Sequence, residues 1–214
     1  MTNRRVGSRH FATVLFLILV LALLATVVIS KSAQAQPGRP GPGYWIASSR
    51  PTQSDFGGGP GGQQFSDARC KPGSVATGFH VQMGKYFNLV WVDCAVVRPN
   101  GTLDRNVRST TQAGTPGGNY VGDAQCPYGQ GLIGLQGRTG GSIDVAVGVC
   151  ADPREVADRR NPRTQLTNAI TIPGPDGQPA QAPCQVNQVM VGIRAKSGQW
   201  IDHLWVLCSD IQRR

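Results

Sequence analysis

The chain has 214 residues, 28 of them glycine and 15 proline, and a single glutamate, Glu155. Strong helix formers are scarce beyond the first thirty residues, which argues against a helical bundle or an alternating α/β fold and for an all-β body rich in turns. The formal net charge is +9, but its cations are spread along the sequence rather than gathered in one basic tract, so nucleic acid is not the expected partner.

In chain order, Arg4, Arg5 and Arg9 precede an uncharged apolar run from Phe11 to Ile29, followed by Ala33-Gln34-Ala35. A basic leader, an apolar stretch and a small-x-small site read as a secretory signal over residues 1–35. The run is also nearly long enough to span a bilayer, so an uncleaved N-terminal anchor is the alternative. Only in that form would the protein engage a membrane. Removing residues 1–35 takes away Arg4, Arg5, Arg9 and Lys31 and no acid, leaving a net charge of +5 carried mostly by arginine. That charge suits glycans or anionic cell-surface polymers through long-range attraction. Residues 36–43 are a Pro/Gly-rich spacer, and residues 44–214 form the body.

The body is built on a unit that occurs three times, over residues 70–94, 126–150 and 184–208, each opening and closing on cysteine 24 positions apart. Counted from the first cysteine, step 8 is Gly78, Gly134 and Gly192, and step 14 is Gly84, Gly140 and Gly198. Step 17 is Phe87, Ile143 and Ile201, and step 18 is Asn88, Asp144 and Asp202. Gap-free self-similarity marks a repeat architecture. Period-two alternation at Val189, Val191 and Ile193, followed by the apolar arm Ile201 to Leu207, reads as a β-hairpin. A reversal near step 12 sets each first cysteine opposite its partner, which predicts the disulfides Cys70–Cys94, Cys126–Cys150 and Cys184–Cys208. The same mirror register places the step 16 residues (Tyr86, Ser142, Trp200) over the step 8 glycines, although a bulge would shift it by one. Trp91 and Trp205, both at step 21, are expected in the core. Six cysteines in regular pairs imply an oxidising compartment, so a secreted, periplasmic or extracellular protein.

Lead-in segments add about two further strands to each repeat. Ala68, Ala124 and Ala182 stand two places before the first cysteines, with Gly61-Gly62, Gly117-Gly118, and Gly174 with Gly177, upstream of them. Strand candidates between the units include residues 109–111 and 166–172. The charged stretch Asp152 to Arg163 reads as a solvated loop.

Three glycine-rich, four-stranded repeats resemble the pseudo-threefold β-prism of jacalin-related lectins, and the resemblance lies in Gly-x-x-x-Asp. The motif is Gly140-Gly141-Ser142-Ile143-Asp144 and Gly198-Gln199-Trp200-Ile201-Asp202, with Gly84-Lys85-Tyr86-Phe87-Asn88 as a variant carrying asparagine. Gly58-Gly59-Pro60-Gly61-Gly62 is similar to the glycine loop that precedes lectin prisms. The cysteine brackets are more like those of vitelline membrane outer layer proteins. The resemblance implies sugar sites at Gly140 with Asp144 and at Gly198 with Asp202, and a degraded third at Gly84 with Asn88, with Tyr86 or Trp200 covering the sugar's apolar face. Three such sites far apart would favour multivalent surfaces.

Aspartate in a hairpin reversal also accepts hydrogen bonds from turn backbone, and Asn88 would do so equally well. Catalysis is not expected. There is no Gly-x-Ser-x-Gly elbow, no free thiol, and the histidines His80 and His203 stand at unrelated steps. A cross-repeat pair such as Asp93 with Asp123 is the arrangement that would change this. No cofactor or metal is implied, since no calcium loop or Cys-x-x-Cys pair occurs. The expected function is therefore non-enzymatic carbohydrate binding. The alternative is a structural or interaction protein of the cell envelope or extracellular matrix that binds no sugar.

Overall fold

A computed structural model describes residues 43–47, 50–108, 111–158, 161–173 and 176–213. The expected leader and nearly all of the spacer lie outside the described residues. The strands are β1 (Tyr44–Ile46), β2 (Thr52–Gly58), β3 (Gln64–Arg69), β4 (Ser74–Met83), β5 (Phe87–Val97), β6 (Leu103–Arg108), β7 (Ala113–Gly114) and β8 (Tyr120–Gln125). They continue with β9 (Gly131–Thr139), β10 (Ile143–Ala151), β11 (Gln165–Leu166), β12 (Ile170–Thr171), β13 (Gln178–Pro183), β14 (Gln188–Ser197) and β15 (Ile201–Arg213). One short helix, α1 (Pro153–Ala157), follows β10.

The strands form three antiparallel sheets, each centred on one cysteine hairpin: β4–β5, β9–β10 and β14–β15. In the first sheet β5 is flanked by β6 and β7, and β4 by β8. In the second, β10 is flanked by β11 and β12, and β9 by β13. In the third, β15 is flanked by β1 and β2, and β14 by β3. This is the expected three-sheet β-prism. Alternation sends one face of each hairpin inward, where Phe79, Val90, Leu132, Leu135, Ile193 and Leu204 meet in a shared core. The step 17 residues Phe87, Ile143 and Ile201 are fully buried. Burying a side chain of this size stabilises the fold by about 1.5–3 kcal/mol.

The three disulfides are those expected from the spacing, with Cα–Cα separations of 5.6, 5.7 and 5.6 Å. The register that predicted them is different. Ser197 pairs with Ile201, so the reversal falls at Gly198-Gln199-Trp200, later than step 12, and Cys208 lies opposite Met190. A bulge follows in every repeat. Val191 is skipped between Met190 and Gly192, Thr77 between Ala76 and Gly78, and Ile133 between Leu132 and Gly134. The carbonyl of each bulged residue accepts the N–H of the next opening cysteine: Thr77 from Cys126 (2.8 Å), Ile133 from Cys184 (2.8 Å) and Val191 from Cys70 (2.9 Å). Each opening cysteine therefore stands where the chain leaves one sheet for the next. Its disulfide pins that crossing segment to the second arm of the new hairpin.

The lead-in strands consequently belong to a different sheet from the hairpins they precede. β3 pairs with β14, β8 with β4 and β13 with β9. This crossing, rather than an aromatic cover, accounts for glycine at step 8. A Cβ on Gly192 would lie 2.4 Å from the Ala68 carbonyl oxygen, and one on Gly134 2.7 Å from that of Ala182. Ala68, Ala124 and Ala182 are fully buried for the same reason.

Part of the charged stretch after β10 is helix rather than loop. Asp152 accepts from the Arg154 N–H as the N-cap, and Pro153 follows with no amide hydrogen to leave unpaired. Val156 then packs with Ile46, Val97, Val189, Leu207 and Ile211 in a second cluster.

Candidate functional site

The three Gly-x-x-x-Asp/Asn turns share one backbone geometry. The N–H of the step 14 glycine donates to the step 16 carbonyl: Gly84 to Tyr86 (3.2 Å), Gly140 to Ser142 (2.9 Å) and Gly198 to Trp200 (3.0 Å). The step 18 carbonyl then accepts from a loop joining the flanking strands: Asn88 from Thr115 (2.8 Å), Asp144 from Ile172 (3.0 Å) and Asp202 from Gly59 (2.7 Å). Turn and loop are thus zipped together at the same end of every sheet.

The side chains at step 18 do different things. In the third repeat Gly198 N–H donates to Asp202 Oδ2 at 3.0 Å, while Oδ1 takes no hydrogen bond from the described residues. The glycine loop between β2 and β3 passes directly over this carboxylate. A Cβ on Gly61 would lie 2.3 Å from Oδ1, and one on Gly62, whose φ is +70°, 2.7 Å from Oδ2. Only glycine permits such an approach. In the second repeat Asp144 is 2 % exposed, and both of its oxygens are engaged. Oδ1 accepts from the Ser142 hydroxyl (3.1 Å) and Oδ2 from Gly177 N–H (2.7 Å). In the first repeat Asn88 Oδ1 accepts from Gly84 N–H (3.2 Å), and its Nδ2 donates to the Gln199 carbonyl (3.1 Å).

That last bond joins two turns. Tyr86 and Trp200 pack at a tilt of 37° with ring centroids 4.7 Å apart, and the Lys85 ammonium lies 5.3 Å from the Tyr86 centroid. The Thr115 hydroxyl donates to the Gly198 carbonyl (2.8 Å). The second turn approaches the glycine loop, where a Cβ on Gly59 would lie 2.3 Å from the Gly141 carbonyl oxygen. The expectation that the three motifs stand far apart is therefore corrected. They gather at one end of the prism, because each hairpin runs in the same sense about the threefold axis. A cavity of about 580 Å³ lies at the other end, lined among others by Arg98, Tyr128, Asp152, Arg154 and Arg163, and takes no residue from the turns.

Two histidine clusters are not evident from motif spacing: that of His80 depends on the hairpin register, and that of His203 on a partner 148 positions away. His80 Nε2 lies 2.7 Å from Asp93 Oδ2, which also accepts from Gln125 Nε2 (2.8 Å), and its ring stacks on Trp91 at 5.2 Å. These bonds engage Asp93 Oδ2, the oxygen a pair with Asp123 would draw on. His203 Nε2 lies 2.6 Å from Asp55 Oδ1, and its ring centroid is 4.3 Å from that of Trp205. Trp91 is buried, as expected, and stacks on His80, while Trp205 is only partly buried beside His203; both lie outside the main core cluster. The one alerting signal was His203 itself, the polar interruption of an apolar arm.

The three sheets, the crossing strands and the gathered turns define the β-prism of jacalin-related lectins. No family model and no curated protein matches the sequence. Among solved structures, artocarpin in complex with mannotriose is 13% identical, with 75% of this chain and 99% of that one covered at a TM-score of 0.50. A mannose-binding jacalin-related lectin from Ananas comosus is 16% identical (76% and 99% covered, TM-score 0.49), and Calystegia sepium agglutinin 15% (77% and 99%, TM-score 0.48). At such identities the likeness is one of fold.

Proposed function

We propose that the protein is a lectin, a non-enzymatic glycan-binding protein acting outside the reducing cytoplasm, with its site centred on Gly198 and Asp202. The observation that carries this reading is the Asp202 carboxylate. One of its oxygens is oriented by Gly198 N–H, the other is without a protein donor among the described residues, and the chain facing it is glycine backbone. A fixed carboxylate of this kind accepts hydrogen bonds from neighbouring hydroxyls, and Asp202, 7% exposed beneath the glycine loop, would offer Oδ1 to a sugar hydroxyl at the rim where Gly198 is exposed. The Tyr86–Trp200 pair supplies an aromatic ridge for the ring's apolar face.

The other two turns support this site rather than repeat it. Asn88 is spent holding Gln199, so the Gly84–Asn88 turn acts as a wall. At Gly140, the sealed Asp144 braces its own turn and loop. The three disulfides agree with passage through an oxidising compartment. The test is a glycan array followed by calorimetry with mannotriose, the sugar bound in the artocarpin complex. Binding that disappears in Asp202→Ala supports the reading, and a disulfide-bonded protein silent across the array refutes it.

A further inference from the structure

We propose that His203 and Lys196, on the outward face of the third sheet, are positioning residues that clasp the glycine loop over Asp202 and make its placement depend on pH. The inference rests on the glycan reading of that site for its functional consequence, and on the geometry alone for the clasp.

Alternation along β15 puts Asp202 under the loop and its neighbour His203 on the opposite face of the same strand. From there His203 reaches the start of the loop. Its Nε2 lies 2.6 Å from Asp55 Oδ1, and the same oxygen accepts from Gly57 N–H at 2.8 Å. Gly57 has φ +99°, so this one carboxylate oxygen links the imidazole to the residue that bends the chain out of β2. Lys196, the cross-strand partner of His203 in the β14–β15 register, reaches the far side of the bend, where its ammonium donates to the Pro60 carbonyl at 2.8 Å. The loop is therefore held from outside at both shoulders by His203 and Lys196, while Gly59 N–H holds it from within on the Asp202 carbonyl.

The charged groups facing His203 are Asp55 from β2 and Lys196 from β14. The next row of this face holds Asp67 with Arg194 (2.7 Å) and Arg69 (2.7 Å), a cluster closed on itself. Trp205 fixes the ring from the remaining side. Protonated His203 makes a charge-assisted bond to Asp55, and neutral His203 makes at best an ordinary one. The clasp is therefore tighter with His203 protonated than neutral, and weakens in the direction of rising pH. Asp55 is largely exposed, its side chain 64% accessible, which keeps the effect small.

Two readouts on the disulfide-bonded protein test this: amide NMR shifts of Gly57 and Gly59 against pH, and mannotriose affinity over the same series. In the wild type both amides shift with pH, and affinity falls about two- to fivefold between the acidic and alkaline limits. His203→Gln, which keeps a hydrogen-bonding side chain without the titration, flattens both profiles. Lys196→Gln weakens binding at every pH, and Lys196→Arg restores it. A flat wild-type profile, or an unchanged slope in His203→Gln, overturns the clasp. Titrating amides in a protein that binds no glycan uphold the clasp and refute the glycan reading. Glycan binding with silent amides does the reverse.

Discussion

Asp144 and Asp202 occupy the same step of the repeat, yet replacing them should have opposite consequences. Asp144→Ala removes the acceptor for two donors inside a sealed turn, the Ser142 hydroxyl and Gly177 N–H. The hydroxyl can rotate to a new partner, but the amide cannot. A buried donor left unsatisfied costs about 1–3 kcal/mol, and losing a charged acceptor adds to that, so about 2–4 kcal/mol is expected in total. For a domain of this size each kcal/mol moves Tm by about 2–4 °C, which gives a fall of roughly 5–15 °C. Asp202→Ala removes one of two acceptors of Gly198 N–H, which keeps the Trp200 carbonyl and lies in a turn whose glycine is exposed to water. Its cost should stay near about 1 kcal/mol, or a few degrees. The binding effects run the other way. A hydrogen bond to a charged group contributes about 1.5–3 kcal/mol, so Asp202→Ala should weaken mannotriose at least about tenfold while Asp144→Ala leaves it within about twofold. Differential scanning calorimetry and isothermal titration on the two single variants decide it. An Asp144→Ala protein of native Tm that has lost sugar binding would refute the assignment of bracing to one acid and recognition to the other.

Other perturbations probe the frame around the site. Trp200→Ala should reduce mannotriose affinity about three- to tenfold with little change in Tm, since it removes an aromatic face at the rim, as calorimetry would record. Gly58→Ala should destabilise by about 1–3 kcal/mol, because φ is +134° there and a Cβ would lie 2.1 Å from the Asp202 carbonyl oxygen; urea denaturation measures it. Paired Cys184→Ser and Cys208→Ser substitution should cost about 3.5 kcal/mol for a loop of 25 residues, read as a lower urea midpoint. For Asp67, burial alone would raise the carboxyl's pKa, but the Arg194 hydrogen bond and the charge of Arg69 outweigh it and hold it below its ordinary value. A depressed folded-state pKa contributes stability above the unfolded value that is lost as pH falls through the folded one. Asp67→Asn should therefore lose stability near neutrality and show a shallower decline below about pH 4 in acid titrations followed by circular dichroism.

The repeat, the disulfide pairs and the special status of the step 14 and step 18 residues were legible because they are local and occur three times. The hairpin register was not. It depends on bulges at Thr77, Ile133 and Val191, three different residues whose shared role is a carbonyl turned toward a cysteine of the next unit. The symmetric pairing of Cys184 with Cys208 could thus be inferred correctly from a register the chain does not adopt. Asp144 and Asp202 read alike for a related reason. What separates them is Ser142 against Trp200 two positions earlier, and Gly177 N–H against the glycine loop, contacts made across sheets. The His203–Asp55 contact joins residues 148 positions apart, a separation over which alternation and motif spacing carry no information.

The exchange of lead-in strands has a consequence for biogenesis. β1, β2 and β3 have no sheet of their own and complete the one whose centre, β14–β15, emerges from the ribosome last. Threads laid down at the outset must wait, edges bare, for the closing arm, so this third sheet can close only once β15 has been made. A copy halted before β15 would keep sticky borders and all the hazards of self-association that come with them.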